Sequence, residues 1–416
     1  MKNESKQKHA EIINIGDELL AGHTLNSNAA WISAHLKKTG IKVTKHLVIA
    51  DEKDAIISAL DQVDNETSFV FITGGLGPTE DDRTKAVITS YFGGELRFSD
   101  EIYEDVLAFF RKRGRTPSKR NRDQAVFPSN ADRIINKRGT ASGMIFEREG
   151  TRYFVMPGVP YEMQAMMSET ILPSFFADIE QMNIELQVNT FGLPESEIAD
   201  RIMEHIPEIN ANMAIGYYPS VRGITIRLNG EESHTLEKVQ KKIVRLLGDA
   251  VYSISGEDME TLVIRQCRDK GIILSVAESC TGGLLSDLIT DVPGSSSVFK
   301  EGYIVYSNEA KVRELKVEPE IISCYGAVSS ETVEAMAMGL KNKTGADITV
   351  GISGIAGPDG ATPEKPVGLV YVAVLYKNKI RVQKINFDRG RKKNKEYAAR
   401  TALNLIRLMI KDIDIE

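Results

Sequence analysis

Apolar residues fall into two rhythms along this chain. Short runs rich in β-branched residues alternate with stretches whose apolar positions recur every three or four residues. The first pattern reads as buried strand and the second as amphipathic helix. The opening hundred residues give a strand at 10–15, a helix at 29–38, strands at 41–49 and 68–73, and a helix at 53–62 between those two. Asn26-Ser27-Asn28 caps the first helix and Gly40 stops it. Strand alternating with helix implies a parallel sheet with right-handed crossovers. Ligands collect at the carboxyl ends of such strands. Two glycine-bearing loops lie there, Gly16-Asp17-Glu18 and Thr73-Gly74-Gly75-Leu76-Gly77-Pro78-Thr79.

The pattern changes near residue 170. A short helix follows residues 190–197, a half-exposed strand covers 223–228, helical spacing runs over 236–247, and a last strand covers 251–254. This is a small α+β segment without a catalytic constellation. Near Met259 the α/β rhythm returns: helix to 270, a buried strand to 277, a helix from 284, and strands at 298–306, 347–352 and 368–376. Ser329-Ser330-Glu331-Thr332 caps a helix ending near Gly345, and a closing helix covers 395–410. The expected organisation is three domains, 1–170, 171–255 and 256–416.

Composition narrows the function. With 42% hydrophobic and 26% charged residues the chain reads as an ordinary soluble globular protein. A net charge of −6 gives no footprint for direct nucleic-acid binding. The basic run at 111–122 is local and reads as a solvated helix end, with a phosphate-gripping loop as the other reading. Three cysteines without a CxxC pair fit a reducing compartment. No secretory signal or membrane-spanning run is present, so a cytoplasmic location is expected.

Candidate chemistry sits mainly in the third domain. The turn Glu278-Ser279-Cys280-Thr281-Gly282-Gly283 joins a buried strand to a helix. Free N–H groups there would hold a phosphate or an acyl-transfer oxyanion. An ordinary N-cap explains the same residues equally well. All six histidines precede residue 256, so a Ser–His–Asp triad within this domain is impossible. A nucleophilic Ser279 would need Lys311 or Tyr306 for its proton. Cys280 is a rival nucleophile, because a helix N-terminus lowers a thiol pKa. The glycine-rich loop at 351–360 could cradle a phosphate, with Lys365 and Arg389 neutralising it. In the first domain the glycines at 74, 75 and 77 permit close backbone approach to a nucleotide. Asp17, Asp81 and Asp82 supply hard oxygens suited to a divalent metal.

These motifs carry a resemblance. Gly16-Asp17-Glu18-Leu19-Leu20, Thr73-Gly74-Gly75-Leu76-Gly77-Pro78-Thr79 with Asp81-Asp82, and Met156-Pro157-Gly158-Val159-Pro160-Tyr161-Glu162-Met163 resemble the molybdopterin-binding-like domain of the CinA family. Asp17 and Glu80 stand where Thr and Lys are frequent in that family, and Ser142 where Pro is usual. Ala277-Glu278-Ser279-Cys280-Thr281-Gly282-Gly283, Tyr306-Ser307-Asn308-Glu309-Ala310-Lys311, Tyr325-Gly326-Ala327-Val328-Ser329, Gly351-Ile352-Ser353-Gly354-Ile355-Ala356-Gly357-Pro358-Asp359-Gly360 and Glu364-Lys365-Pro366-Val367-Gly368 together resemble its nicotinamide-nucleotide amidase (PncC) domain.

The resemblance implies an α/β protein: a parallel-sheet molybdopterin-binding-like domain, a small α+β middle domain and an α/β amidase domain. It implies deamidation of nicotinamide mononucleotide by Ser279, Tyr306 and Lys311 without a cofactor. The Thr281–Gly282 backbone would form the oxyanion site. Glu278, Thr281, Gly282, Gly283, Asn308, Ser353, Gly354, Ala356, Gly357, Lys365 and Arg389 would surround the substrate. For the first domain it implies ADP-ribose hydrolysis with Mg²⁺, Mn²⁺ or Co²⁺ at Asp17, Asp81 and Asp82. The nucleotide would there lie on Gly16, Asn28, Gly74, Gly75, Gly77 and Thr79. Two alternatives stay open: a first domain that only binds a nucleotide or pterin, and an interaction protein of competence or DNA damage. A homodimer is expected, with no membrane partner.

Overall fold

The structure, a computed structural model, describes residues 8–77, 84–177, 184–207, 209, 213–230 and 232–413. Two compact units divide near residue 182. The first is built on a six-stranded sheet in the order Lys42–Ile49, His9–Ile15, Thr67–Thr73, Thr151–Met156, Gly143–Arg148, Asp132–Ile134. Its first four strands are parallel, as the strand–helix alternation predicts. Two antiparallel strands then extend the sheet through a hairpin that the sequence pattern did not show.

Both faces of this sheet are covered, because successive strand residues point to opposite sides. Ile12, Phe71 and Phe154 enter one core cluster, while their neighbours Ile13, Ile72 and Val155 enter the other. Phe71 and Phe154 stack at 5.1 Å between ring centres.

The second unit holds two sheets. A four-stranded antiparallel sheet, in the order Met213–Ser220, Gly223–Gly230, Ile184–Thr190, Val251–Ser253, packs on the helices Glu195–His205 and Ser233–Leu247. It is tied to the last helix of the chain. Arg407, nearly buried, donates to the Val251 carbonyl at 3.1 Å, and Phe191 stacks on Tyr397 at 5.3 Å.

The other sheet runs Phe299–Ile304, Leu274–Glu278, Ile348–Gly354, Leu369–Tyr376, Lys379–Asn386. Its first three strands are parallel and the last two antiparallel. Every residue of Leu274–Glu278 is buried, as its apolar run demands. One face packs on the helix Arg391–Ile413 through Ala398, Ala402 and Ile406, and Val333 and Met336 of Ser330–Thr344 pack on the other. The closing helix starts at Arg391 rather than at the expected 395. Cations at a helix start oppose its dipole, so the basic stretch reads as loop when only sequence is considered. Among the described residues no helix is long and apolar enough to cross a membrane.

Register decides what the three parallel strands deliver. Glu278 pairs with Ile304 on one side and with Ile352 on the other. Their carboxyl ends therefore lie side by side, with Ser279 between Val305 and Ser353. Ser279 N–H donates to the Ile352 carbonyl at 3.0 Å, and Val305 N–H donates to the Glu278 carbonyl at 2.8 Å.

Candidate active site

The turn after Glu278 depends on two glycines in the left-handed region, Gly282 at φ 63° and Gly283 at φ 97°. It also depends on Glu278 itself. Its fully buried carboxylate accepts from the N–H groups of Gly283 and Leu285 at 3.0 Å and of Ser286 at 2.8 Å, and from Ser286 Oγ at 2.7 Å. Four donors satisfy a charge that burial would otherwise penalise heavily. Glu278, expected near the substrate, builds the turn from below and is not in the lining of the cavity described below.

Ser279 is thereby held at the strand end, nearly buried. Opposite it, Ser307 caps the helix Asn308–Leu315 by accepting from the Ala310 N–H at 3.1 Å. That start places Lys311 in the first turn, where it is only 1% exposed. Its Nζ lies 3.1 Å from Ser279 Oγ. It donates to the carbonyls of Val305 at 3.0 Å, Tyr306 at 3.4 Å and Ser307 at 3.5 Å. Burial lowers the Lys311 pKa, and no carboxylate contacts the amine among the described residues. The helix dipole further disfavours a cation at this position.

Nζ also donates to Ser279 Oγ, so the amine is ringed by acceptors and must shed a proton, which burial favours, before it can act as a base on that hydroxyl. Cys280 lies alongside, but burial pushes its thiol pKa up to about 12. The thiolate needed for attack is therefore suppressed.

These groups line a cavity of about 220 Å³. It brings together Ser279, Tyr306, Asn308, Lys311, Ser353, Gly354, Ala356 and Gly357, all expected from sequence. Ser353 Oγ donates to the Ala327 carbonyl at 2.6 Å, which fixes one wall. Thr281, Gly282, Gly283, Lys365 and Arg389 are not in the lining. Gly282 N–H is committed to the Ser279 carbonyl at 3.1 Å and Gly283 N–H to Glu278. The Thr281–Gly282 backbone expected at the oxyanion is therefore not at the cavity wall, where this turn contributes Ser279 and Cys280. Thr281 is fully buried, and among the described residues its Oγ has no partner. Lys365 Nζ braces the Tyr325 carbonyl at 2.7 Å, and the Arg389 N–H donates to Asn394 Oδ1 at 2.9 Å.

Arg391 is the residue that sequence reasoning missed. It donates through Nη1 to the Gly357 carbonyl at 2.7 Å and through Nη2 to Tyr306 Oη at 3.1 Å. The available signal was a basic segment at 389–395, in which Arg389 and Arg391 are indistinguishable without the helix start. Asp359, Ala327 and Val328 also join the lining.

In the first unit the expected residues converge less. A cavity of about 70 Å³ includes Glu18, Asn28, Thr73 and Gly158 in its lining. Gly16, Gly74, Gly75 and Gly77 lie beside it rather than in its wall. Gly74 is required where it stands, since at φ 114° a Cβ would meet the Ile15 carbonyl oxygen at 1.9 Å. Asp17 is exposed at the start of a short helix. Thr79, Asp81 and Asp82 lie outside the described residues. Among the described residues no group of three or more His, Cys, Asp or Glu could hold a metal.

Comparison with known proteins follows the same division of the chain. Residues 256–410 match the CinA C-terminal domain, 11–177 a probable molybdopterin binding domain, and 187–253 the damage-inducible protein CinA KH domain. The crystal structure of the competence/damage inducible protein CihA from Agrobacterium tumefaciens is 36% identical, covering 38% of this chain and 99% of that one, with a TM-score of 0.36. A CinA-like protein of Cytophaga hutchinsonii is 36% identical over 413 residues, 97% of this chain and 99% of its own. A CinA-like protein of Chlorobaculum tepidum is 38% identical over 421 residues, 97% of this chain and 99% of its own. With relatives matched over almost their whole length at such identity, the chain belongs to the CinA family.

Proposed function

We propose that the C-terminal domain hydrolyses the carboxamide of nicotinamide mononucleotide to nicotinate mononucleotide and ammonia. The observation that carries this reading is the 3.1 Å contact between Ser279 Oγ and a buried, carbonyl-surrounded Lys311 amine at a cavity wall. A serine next to a desolvated lysine is a nucleophile next to its base.

In the proposed sequence, the Ser279 hydroxyl proton passes to Lys311 Nζ as Oγ bonds to the carboxamide carbon. The carbonyl oxygen gains negative charge and faces the N–H of Cys280, the turn's other residue in the lining. A positioned oxyanion donor is worth about 3 kcal/mol. Tyr306 delivers a proton to the amide nitrogen and recovers one from the Lys311 ammonium. The C–N bond then breaks, ammonia leaves, and a nicotinoyl ester remains on Ser279. Water attacks that ester with Lys311 again as base, and Oγ departs with its proton restored. Asp359 gives the cationic pyridinium ring an opposite charge, and the basic helix start with Lys392, Lys393 and Lys395 gives the phosphate a positive field.

The test is product identification. The full chain with nicotinamide mononucleotide and EDTA is expected to release ammonia and nicotinate mononucleotide in equal amounts. Free nicotinamide with ribose 5-phosphate would mean that the glycosidic bond is cut instead, and the reading would be wrong.

For the first domain one observation supports nucleotide binding. Asn28 donates through Nδ2 to the Gly158 carbonyl at 2.8 Å, yet among the described residues its buried Oδ1 has no partner. A buried acceptor without a donor carries a cost of about 1–3 kcal/mol. An amino or hydroxyl group of a nucleotide would satisfy it. The described residues do not by themselves fit a metal site, so no hydrolytic step is derived there. Titration calorimetry with ADP-ribose should show saturable binding that weakens at least about tenfold in Asn28→Ala, the loss of roughly one such hydrogen bond. Equal affinity in the two proteins would contradict this.

A further inference from the structure

We infer that Arg391 is a positioning residue that fixes the direction of the proton on Tyr306, an inference that rests on the amidase reading above. A proton donor must present its hydrogen, not a lone pair, to the departing nitrogen. A free phenol does both, since its hydroxyl is donor and acceptor at once. Something has to choose.

Arg391 makes the choice by its chemistry. A guanidinium has five N–H donors and no acceptor. At 3.1 Å from Nη2, Tyr306 Oη must therefore be the acceptor, with its own hydrogen turned elsewhere. No other partner of this hydroxyl is present among the described residues, and Tyr306 lines the cavity. Its hydrogen is thus left for whatever the cavity holds.

Stability gives no reason for the arrangement. Tyr306 is 60% exposed and the Arg391 side chain is exposed, so their contact adds little to folding. Arg391 is also the first residue of a 23-residue helix, where the dipole opposes a cation. The second arm of its fork grips the Gly357 carbonyl at 2.7 Å. Arg391 thereby spans loops from the strands Phe299–Ile304 and Ile348–Gly354, which flank the nucleophile's strand. A fork held at both ends keeps the phenol in one place with one proton direction.

The rival role for this arginine is direct contact with the substrate phosphate. A double-mutant cycle on ammonia release separates the two. kcat and KM are measured for wild type, Arg391→Met, Arg391→Lys, Tyr306→Phe and Arg391→Met/Tyr306→Phe, with nicotinamide mononucleotide and with its phosphate-free riboside.

Arg391→Met is expected to lower kcat about tenfold or more on either substrate that turns over, with little change in KM. Arg391→Lys should restore part of kcat, since an ammonium also only donates. The double variant should be no slower than Tyr306→Phe. Losses that multiply in the double variant, or a change confined to KM for the phosphorylated substrate, would overturn the inference while leaving the amidase reading intact. Absence of ammonia from wild type with both substrates would overturn both.

Discussion

Replacing Ser279 with Ala should lower amidase turnover by about 10⁴-fold or more, the scale seen when a hydrolase loses its nucleophile. Replacing Cys280 with Ala should leave most of the rate. The contrast follows from position and ionisation. Ser279 Oγ has a buried amine at 3.1 Å, whereas the Cys280 thiol is pushed up to about 12 and is not ionised at neutral pH. Both side chains line the same cavity, so a structural disturbance near the turn would affect both variants. Steady-state ammonia release, with thermal melts to show that both variants fold, checks the prediction. Equal losses in the two variants would count against a serine nucleophile.

The second large effect concerns Lys311. Lys311→Met should reduce kcat by about 10³-fold or more, because the proton of Ser279 loses its acceptor. Wild-type kcat/KM should rise with pH and then level off, since only the unprotonated amine is a base. Burial lowers the Lys311 pKa from its ordinary 10.5, so the rise should be centred below that value. The same shift governs stability. Between the lowered folded pKa and 10.5, the unfolded chain binds more protons at this residue than the folded chain does. The folded state therefore gains stability as pH rises through that window. Below the window Lys311 carries a constant penalty. Relative to Lys311→Met, wild type should become progressively more stable as pH climbs toward 10.5. Denaturant unfolding of both proteins at a series of alkaline pH values measures this. A difference independent of pH would show that Lys311 is not desolvated.

Much of this site is written locally. The apolar run to Ala277 and the glycine-ended turn at 278–283 are short-range patterns, and each appears as expected, while Ser307 adds a cap that sets Lys311 in the first turn of its helix. Register then brings Ser279, Tyr306 and Lys311 together from segments about thirty residues apart. What the sequence leaves undetermined is direction. Glu278 adjoins the nucleophile, yet strand alternation and four donors turn its carboxylate under the helix rather than toward the cavity. Arg389 and Arg391 differ only by where the last helix begins, and that start violates the charge preference by which a helix end is recognised. Gly282 is suited by type to an oxyanion site, but the turn consumes its N–H. The wall formed by Ala327 and Val328 depends on a contact with Ser353 that no local pattern contains. In the first unit the sheet is legible and the site is less so, because Thr79, Asp81 and Asp82 lie outside the described residues.

In the proposed reaction Ser279 carries a nicotinoyl ester during turnover. Adding hydroxylamine to the full chain with nicotinamide mononucleotide measures this most directly, because hydroxylamine competes with water for an acyl-enzyme. Nicotinohydroxamate mononucleotide should form at the expense of nicotinate mononucleotide, and Ser279→Ala should yield neither. Nicotinate mononucleotide formed at an unchanged rate with no hydroxamate would mean that water attacks the amide directly, and that Ser279 is not the nucleophile.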